Sequence, residues 1–347
     1  MNRVGIVRDA VYLSHRTGSF HPECPERLEV LYSMLDGAGM GKIHVPLETR
    51  KAERDEITLV HSDRHFGHVA ATAGVPQSYL DADTQTSEQS FDAALCAAGA
   101  VLRGVDLLMA GECSPIFALV RPPGHHAEHD RAMGFCLFNN IAIGARYAIE
   151  KHDLKRIVVV DWDLHHGNGT QHAFYDDNRV LYFSTHQYPY YPGTGDLSET
   201  GQGSGTGYTV NVPLPVGMGD RDFYRVFREV LEPIVNAYRP ELVLVSAGFD
   251  TYFNDPLGGM AVTPEGFASL AGAVQAMAQR HADGRLLLAL EGGYHLEGLR
   301  QSVKAVIEQL AGAAHIDMKR FEPNGEVHLI DRIIEEVKKE QREFWPL

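Results

Sequence analysis

The sequence predicts an α/β fold, in which one open and mostly parallel β-sheet is sandwiched by helices. Two observations predict this fold: short runs of consecutive apolar residues, and helical patterns that alternate with them along the chain. Continuous apolar runs of this length are typical of strands that are covered on both faces, as in a parallel sheet. The runs are 116–120, 157–160, 180–184, 241–246 and 285–290.

Helical patterns lie between these runs, at 139–152, 222–238 and 263–281. Thr263 suits the N-cap of the third helix, and Pro264 suits its first position. Strands that alternate with helices predict right-handed crossovers within one sheet. A further pattern at about 327–344 predicts a C-terminal amphipathic helix that packs on the body of the protein. Its apolar positions are Val327, Ile330, Ile334 and Val337.

Length and composition are those of an ordinary globular chain: 347 residues, of which 44% are hydrophobic and 22% are charged. We expect a single domain over 1–347, because there is no internal repeat and the glycine-rich stretch 192–207 is too short to separate two domains. No apolar run approaches the ~20 residues of a membrane helix, and the first residues lack a signal-peptide pattern. We therefore expect a cytoplasmic protein whose four cysteines, which are far apart, are reduced.

The net charge of −15 argues against two classes of partner, nucleic acids and anionic membranes, since both attract basic surfaces. It is compatible with a cationic substrate. The glycine-rich stretch does not form GxGxxG between a strand and a helix, so we expect no dinucleotide site. The sequence leaves the oligomeric state open, a homo-oligomer included.

Chemically reactive residues follow the carboxyl end of each predicted strand. The segments that follow the five runs contain, in chain order, RPPGHHAEHD, DWDLHHGNG, THQYPYYPGTGD, AGFDTYFNDP and EGGYHLEG. Ligands of open α/β sheets bind outside the carboxyl ends of the strands. We therefore expect one functional site, to which all five segments contribute.

The second of these segments suggests a metal site. Asp161, Asp163 and His165 alternate, so they share one side if the extended geometry continues beyond the valines. Two carboxylates and an imidazole suit zinc or a similar divalent ion, and the lack of a nearby cysteine favours an open, catalytic site. The alternative is a hydrogen-bonded ion pair at the end of a strand.

The first segment suggests acid–base chemistry. His125 and His126 follow a strand and a rigid PPG turn, so both would project into the same cleft, although adjacent histidines also occur without a catalytic role. Each imidazole needs a partner that fixes its tautomer. Asp161 and Asn168 are the candidates, and a carboxylate and an amide would give the two imidazoles different basicities. Tyr294 could donate a hydrogen bond to a developing oxyanion, unless it is simply the aromatic residue of a turn.

Taken together, these motifs resemble the zinc-dependent histone deacetylase family. The sequences of the motifs are closest to those of its class II branch and of the bacterial histone deacetylase-like amidohydrolases. The resemblance covers roughly residues 5 to 310. It implies an arginase/deacetylase-like fold and hydrolysis of the amide bond of N-acyl-lysine, acetyl or longer, in proteins or peptides. The matching segments are HPECPERL (21–28), RPPGHHAEHDRAMGFCLFNN (121–140), DWDLHHGNGTQHAFYDD (161–177), SAGFDTYFNDPLGG (246–259) and LEGGY (290–294).

The resemblance also implies roles for single residues. The ligands of one zinc ion would be Asp163, His165 and Asp250. The tandem active-site histidines would be His125, with Asp161 behind it, and His126, with Asn168 behind it. Some branches of the family have Asp in place of this asparagine.

Further roles concern the transition state and the substrate channel. Tyr294 would be the transition-state tyrosine, Phe135 one wall of the channel, and Gly134 the acceptor for the scissile amide N–H. The opposite wall, often Phe in the family, is Tyr191 here, and a rim aspartate that grips the substrate backbone falls at Asp83.

The resemblance implies structural potassium as well. The inner site would use Asp161, Asp163, His165, Ser184 and Thr185. The outer site would use Phe174, Asp177, Val180 and Tyr208.

The substrate is less well determined, because acetylpolyamine amidohydrolases share the core motifs. The polyamine-preferring class II relative has an acidic gatekeeper at the position of Leu257, so the leucine favours acyl-lysine or a longer acyl chain. A binuclear manganese ureohydrolase would share the fold, but Thr251 and Tyr252 offer no ligands for a second metal ion. A non-catalytic acyl-lysine binder would lack a ligand, histidine or tyrosine, and none is missing.

Overall fold

The computed structural model describes residues 3–314, 316, 321 and 328–347. Its strands in chain order are β1 Val4–Val7, β2 His44–Leu47, β3 Ser78–Tyr79, β4 Gln85–Thr86, β5 Ile116–Ala118, β6 Ile157–Asp161, β7 Val180–Gln187, β8 Thr209–Leu214, β9 Leu242–Ala247 and β10 Leu286–Leu290. Eight of the described strands form one sheet in the order β2-β1-β5-β10-β9-β6-β7-β8, and every pair in it is parallel. Strands β3 and β4 form a separate antiparallel pair.

Helices flank this sheet. They are α1 Glu26–Leu35, α2 Arg54–Ile57, α3 Asp63–Ala70, α4 Ser90–Met109, α5 Asn140–His152, α6 Asn168–Phe174, α7 Asp220–Val226, α8 Glu232–Tyr238, α9 Pro264–His281, α10 Leu296–Leu310 and α11 Leu329–Gln341. A π-helical segment, Phe227–Leu231, joins α7 to α8, so the predicted helix at 222–238 is continuous. The predicted α/β class with a parallel sheet is confirmed.

Burial explains why the central strands have continuous apolar sequences. Every residue of β6, β9 and β10 is buried. Helices α4 and α5 pack on one another and on these strands, and α9 also packs on β9 and β10. At Gly104 of α4 the helix comes so close to the sheet that a Cβ atom would lie 2.3 Å from Cδ1 of Leu287.

The C-terminal helix packs on β8. Ile330, Ile334 and Val337 of α11 are buried, while Val327 lies outside the described residues. Beyond the helix, Trp345 Nε1 donates to Gly207 O at 2.7 Å. None of the helices in the described parts of the chain has the length and hydropathy that crossing a membrane requires.

Because the eight strands are parallel, their carboxyl ends meet at one edge of the sheet. The segments after β5, β6, β9 and β10 therefore come together there. This edge holds the candidate site.

Candidate active site

Three potential metal ligands converge after β6 and β9. His165 Nδ1 lies 3.2 Å from Asp163 Oδ1 and 3.1 Å from Asp250 Oδ2. One ligand atom from each of these residues lies within 4.8 Å of the others. Strand β6 ends at Asp161, so the extended geometry does not continue as far as His165. Instead the backbone N–H of Leu164 donates to Asp250 Oδ1 at 2.8 Å, which ties the loop after β6 to the loop after β9.

The donor set fits a divalent metal ion. Two carboxylates and one imidazole leave further coordination positions open, as in catalytic zinc sites. Burial, followed by the charge of Asp163, raises the pKa of Asp250 to about 7. The loop after β10 must also pass close by, since a Cβ atom at Gly292 would lie 2.3 Å from Asp250 Oδ2 and 2.7 Å from Asp163 Oδ2.

The tandem histidines have the partners that the sequence predicts. His125 Nδ1 lies 3.0 Å from Asp161 Oδ2, and His126 Nδ1 lies 2.7 Å from Asn168 Oδ1. The two ring centroids are 4.1 Å apart.

Their surroundings shift the pKa values of the two imidazoles in opposite directions. Burial alone would lower the pKa of His125, but the charges of Asp163 and Asp161 outweigh it and hold that pKa well above its ordinary value. Burial, the charge of His125 and then that of His165 hold the pKa of His126 well below its ordinary value. These opposite shifts favour a protonated His125 beside a neutral His126.

Glu291, whose role sequence reasoning missed, fixes the backbone before the histidines. Its Oε2 accepts from the N–H groups of Gly124 at 2.7 Å and His125 at 3.2 Å. Its Oε1 accepts from Ser246 Oγ at 3.1 Å. Burial raises the pKa of Glu291 to about 7. The available signal was an acidic residue directly after the apolar strand β10, in the motif LEGGY.

Tyr294 lies at the mouth of the same cluster. Its backbone N–H donates to Asp255 Oδ2 at 2.6 Å, and the Arg27 guanidinium lies 5.0 Å from the centroid of its ring. Arg27, which is fully buried, also donates to Gly293 O at 2.7 Å and Glu291 O at 2.5 Å. Arg27 and Asp255 were not predicted as site residues, although both lie within quoted motifs.

A cavity of about 100 Å³ opens onto these residues. The predicted substrate residues that line it are Asp83, Gly134, Phe135, Tyr191 and Leu257, beside His125, His126, His165 and Tyr294. The structure thus brings every predicted substrate residue to one cavity.

The Gly134–Phe135 wall has an unusual backbone. Both residues have positive φ, 55° and 68°, which is strained for phenylalanine. The N–H of Gly134 donates to Asp83 Oδ1 at 3.2 Å, and the N–H of Phe135 donates to Thr84 Oγ1 at 3.1 Å. A Cβ atom at Gly134 would lie 2.4 Å from His126 Cδ2. Asp83 therefore supports this wall, together with Thr84, which was not predicted.

The residues predicted to bind potassium also lie close together. Asp161 and Ser184 are partners in adjacent strands, and Thr185 Oγ1 is buried without a hydrogen-bond partner in the described part of the chain. At the outer group, Phe174 O accepts from Asp177 N at 3.0 Å, and Asp177 O accepts from Val180 N at 3.3 Å. The backbone oxygen of Tyr208, which belongs to the same group, accepts a hydrogen bond from the backbone N–H of Tyr182 at 2.9 Å.

Comparison with known proteins decides the family. The family model described as "Histone deacetylase domain" matches residues 21–310. The chain belongs to the histone deacetylase family. The resemblance that the motifs suggest is confirmed, as is the prediction of an enzyme from this family of hydrolases.

Relatives in this family share much of the chain. A probable deacetylase of Archaeoglobus fulgidus is 42% identical over 313 residues, which is 89% of this chain and 86% of the relative. Histone deacetylase 5 of Arabidopsis thaliana is 38% identical, covering 99% of this chain and 54% of the relative. The polyamine deacetylase HDAC10 of Mus musculus is 43% identical, covering 84% and 45%. The chain thus spans about half the length of these two eukaryotic deacetylases.

A solved structure agrees with the fold. The crystal structure of the HDA15 HD domain superposes with a TM-score of 0.92 at 37% identity, and the match covers 99% of this chain and 96% of that domain. The predicted arginase/deacetylase-like fold therefore agrees with the fold of this solved domain.

Proposed function

We propose that this protein hydrolyses the amide bond of N-acyl-lysine, acetyl or longer, with one zinc ion held by Asp163, His165 and Asp250. One observation carries the proposal: the tandem histidines, Tyr294 and His165 line the same cavity, and His165 forms a potential metal triad with Asp163 and Asp250 behind it. The membership of the family and its relatives named deacetylases support it. Potassium at the two groups of oxygen-bearing residues is a further part of the proposal.

Zinc, when bound, would polarise the acyl carbonyl and lower the pKa of a bound water molecule, to about 7 in known zinc enzymes. His126 is the general base in the proposed reaction. Its Nδ1 faces Asn168 Oδ1, which leaves Nε2 as the atom that accepts the proton of the attacking water. The same nitrogen then returns a proton to the leaving amine.

Two other residues stabilise the negative charge that develops during the proposed reaction. His125 is held in its protonated form by Asp161 and Asp163, so it stabilises negative charge that develops beside it. Tyr294 donates its O–H to the tetrahedral oxyanion. Burial raises the pKa of Tyr294 well above 10, which keeps the hydroxyl protonated at neutral pH.

The lining of the cavity favours acyl-lysine as substrate. Phe135 and Tyr191 provide aromatic walls for the alkyl part of a lysine side chain. Leu257, at the position of the acidic gatekeeper, offers no charge to a second ammonium group. The alternative, a small acyl-amine such as an acetylpolyamine, is supported by the 43% identity to the polyamine deacetylases HDAC10 of mouse and human.

A substrate panel tests the proposal. Acetyl-lysine peptides, longer acyl-lysine peptides and N-acetylspermidine are assayed after treatment with a chelator and again after zinc is added back. We expect turnover to disappear with the chelator, to return with zinc, and to be fastest on acyl-lysine peptides. Asp250→Asn should lose bound zinc, whereas the remote control Asp106→Asn should keep it. Turnover that survives complete removal of metal contradicts the zinc proposal, and faster cleavage of N-acetylspermidine contradicts the choice of substrate.

A further inference from the structure

A buried carboxylate stands behind Asn168, on the side away from His126. Asn168 Nδ2 donates to Glu128 Oε1 at 2.5 Å and to the backbone oxygen of His126 at 3.3 Å. Glu128 is buried, and its two oxygens lie 2.9 and 3.0 Å from Nδ1 of His172. The resulting chain of hydrogen bonds runs from His126 through Asn168 to Glu128.

The orientation of the Asn168 amide decides what His126 can do. An asparagine amide has nearly the same shape after its oxygen and nitrogen exchange places. With Oδ1 towards His126, the proton of the neutral imidazole sits on Nδ1 and Nε2 keeps its lone pair. With Nδ2 towards His126, Nδ1 must accept, the proton moves to Nε2, and that atom can no longer take a proton from water.

Glu128 distinguishes the two orientations. Burial opposes its ionisation, but hydrogen bonds from His172 and Asn168 hold its pKa below the ordinary value. An ionised carboxylate only accepts hydrogen bonds, so it requires a donor from Asn168. An exchanged amide would place two acceptor oxygens in contact inside the protein, which is strongly unfavourable.

We propose that Glu128 is a positioning residue, which locks the Asn168 amide with its oxygen towards His126 and so keeps the Nε2 atom of His126 free to accept a proton. This inference rests on the proposed role of His126 as general base. Asn168 alone would serve both orientations. The asymmetry comes chiefly from Glu128, because the other acceptor that faces Nδ2, the backbone oxygen of His126, lies farther away at 3.3 Å.

A spectroscopic experiment reads the tautomer directly and needs no turnover. The protein is labelled with ¹⁵N at its histidine rings, and the signals of His126 are assigned with His126→Gln, in protein with zinc and in protein without metal. In the unmodified chain we expect Nδ1 to carry the proton and Nε2 to be unprotonated. In Glu128→Ala we expect a substantial population with the proton on Nε2. An unchanged tautomer in Glu128→Ala overturns the inference and leaves the proposed function intact.

Kinetics provide the second test. Glu128→Ala should lower kcat by about 10- to 100-fold, as the loss of supporting residues in metal sites does, with little change in KM. Glu128→Gln keeps an acceptor oxygen for Asn168 and should recover most of this loss. If Glu128→Ala does not fold, Glu128→Met takes its place, because the methionine side chain has a similar length and no carboxylate. Glu241→Ala is the matched control: its carboxylate accepts from the N–H groups of Lys155 and Arg156, away from the site, and kcat should not change.

A double-mutant cycle with Asn168→Asp separates orientation from general loss of structure. A carboxylate presents an oxygen on both sides, so at position 168 it has no orientation for Glu128 to select, and it repels Glu128 as well. In that background we expect Glu128→Ala to leave kcat unchanged or to increase it. An equal loss of kcat in both backgrounds overturns the inference. Absence of hydrolysis by the unmodified chain, with the expected tautomer present, would instead refute the proposed function.

Discussion

Replacing Tyr294 with phenylalanine removes one hydroxyl and leaves the surroundings of the ring intact. The ring packs edge-on against Phe135 with centroids 5.9 Å apart, and the Arg27 guanidinium lies 5.0 Å from its centroid. The hydrogen bond from Tyr294 to Asp255 is donated by the backbone N–H of Tyr294, so the substitution does not affect it. Within the described residues the hydroxyl makes no hydrogen bond, so Tyr294→Phe leaves no partner unsatisfied. We therefore expect the free energy of unfolding to change by no more than about 0.5 kcal/mol.

The effect on catalysis should be far larger. The hydroxyl is one of the donors proposed to hold the oxyanion, and losing one such donor lowers kcat by about 10²–10³, or about 2.7–4 kcal/mol of transition-state stabilisation. Tyr294 lines the cavity together with His126 and His165, which is where that charge would form. Because the interaction is made in the transition state, KM should change little.

The assay compares kcat and KM on an acetyl-lysine peptide with the zinc content and the urea unfolding of the same preparation. Tyr191→Phe is the matched comparison, because it removes a hydroxyl from the opposite wall of the same cavity and introduces the aromatic residue common in the family. Its kcat should fall by less than about threefold, which corresponds to less than 1 kcal/mol. If Tyr294→Phe keeps full zinc content and turns over within about threefold of the unmodified protein, the oxyanion role of Tyr294 is wrong.

Three further predictions concern the metal site, the buried ion pairs and pH. Gly292→Ala places a Cβ atom 2.3 Å from Asp250 Oδ2 and should weaken zinc binding by at least about 10- to 100-fold in competition with a chromophoric chelator. Glu23→Gln leaves the buried Arg121 guanidinium without its carboxylate and should cost about 3–5 kcal/mol of unfolding free energy in urea. At Asp177, hydrogen bonds from Arg179 and Arg146 outweigh burial and hold its pKa below the ordinary value. A depressed pKa stabilises the fold above the unfolded value of about 3.9, and this stabilisation is lost as the pH falls through the folded pKa. Asp177→Asn should therefore cost about 1 kcal/mol at pH 7 and clearly less at pH 3; an equal cost at both would contradict the ion-pair explanation.

The central strands could be predicted because both their faces are buried. Such a strand has a continuous apolar run, and parallel strands bring the residues that follow them to one edge. This is why the segments containing His125, Asp163 and Asp250 could be assigned to one site before the structure was known. Strand β2 was not predicted, because it is a short edge strand of mixed polarity with Pro46 inside it.

Local sequence patterns could not predict the residues that support the site from distant positions in the chain. Arg27 bonds to Gly293, which is 266 positions away, and nothing in the helix α1 sequence indicates that contact. The motif containing Arg27 marked the segment as important without giving its role. The alternation predicts Asp161, Asp163 and His165 on one side of an extended segment, but β6 ends at Asp161. Asp163 and His165 still lie together, because the N–H groups of Asp163 and His165 donate to side-chain oxygens of Asp161 and Asp163.

Buried carboxyl groups outnumber the fully buried guanidinium groups at this edge. The carboxyl groups buried here are Glu23, Glu128, Asp161, Asp163, Asp250, Asp255 and Glu291, and the fully buried guanidinium groups in the described residues are Arg27 and Arg121. Burial raises the pKa of Asp250 and of Glu291 to about 7, so this edge resists carrying all of these negative charges at once. Zinc held by Asp163, His165 and Asp250, as proposed, would lower the pKa of Asp250 and offset part of this repulsion. The same buried acids would therefore favour binding of the metal that the proposed hydrolysis requires.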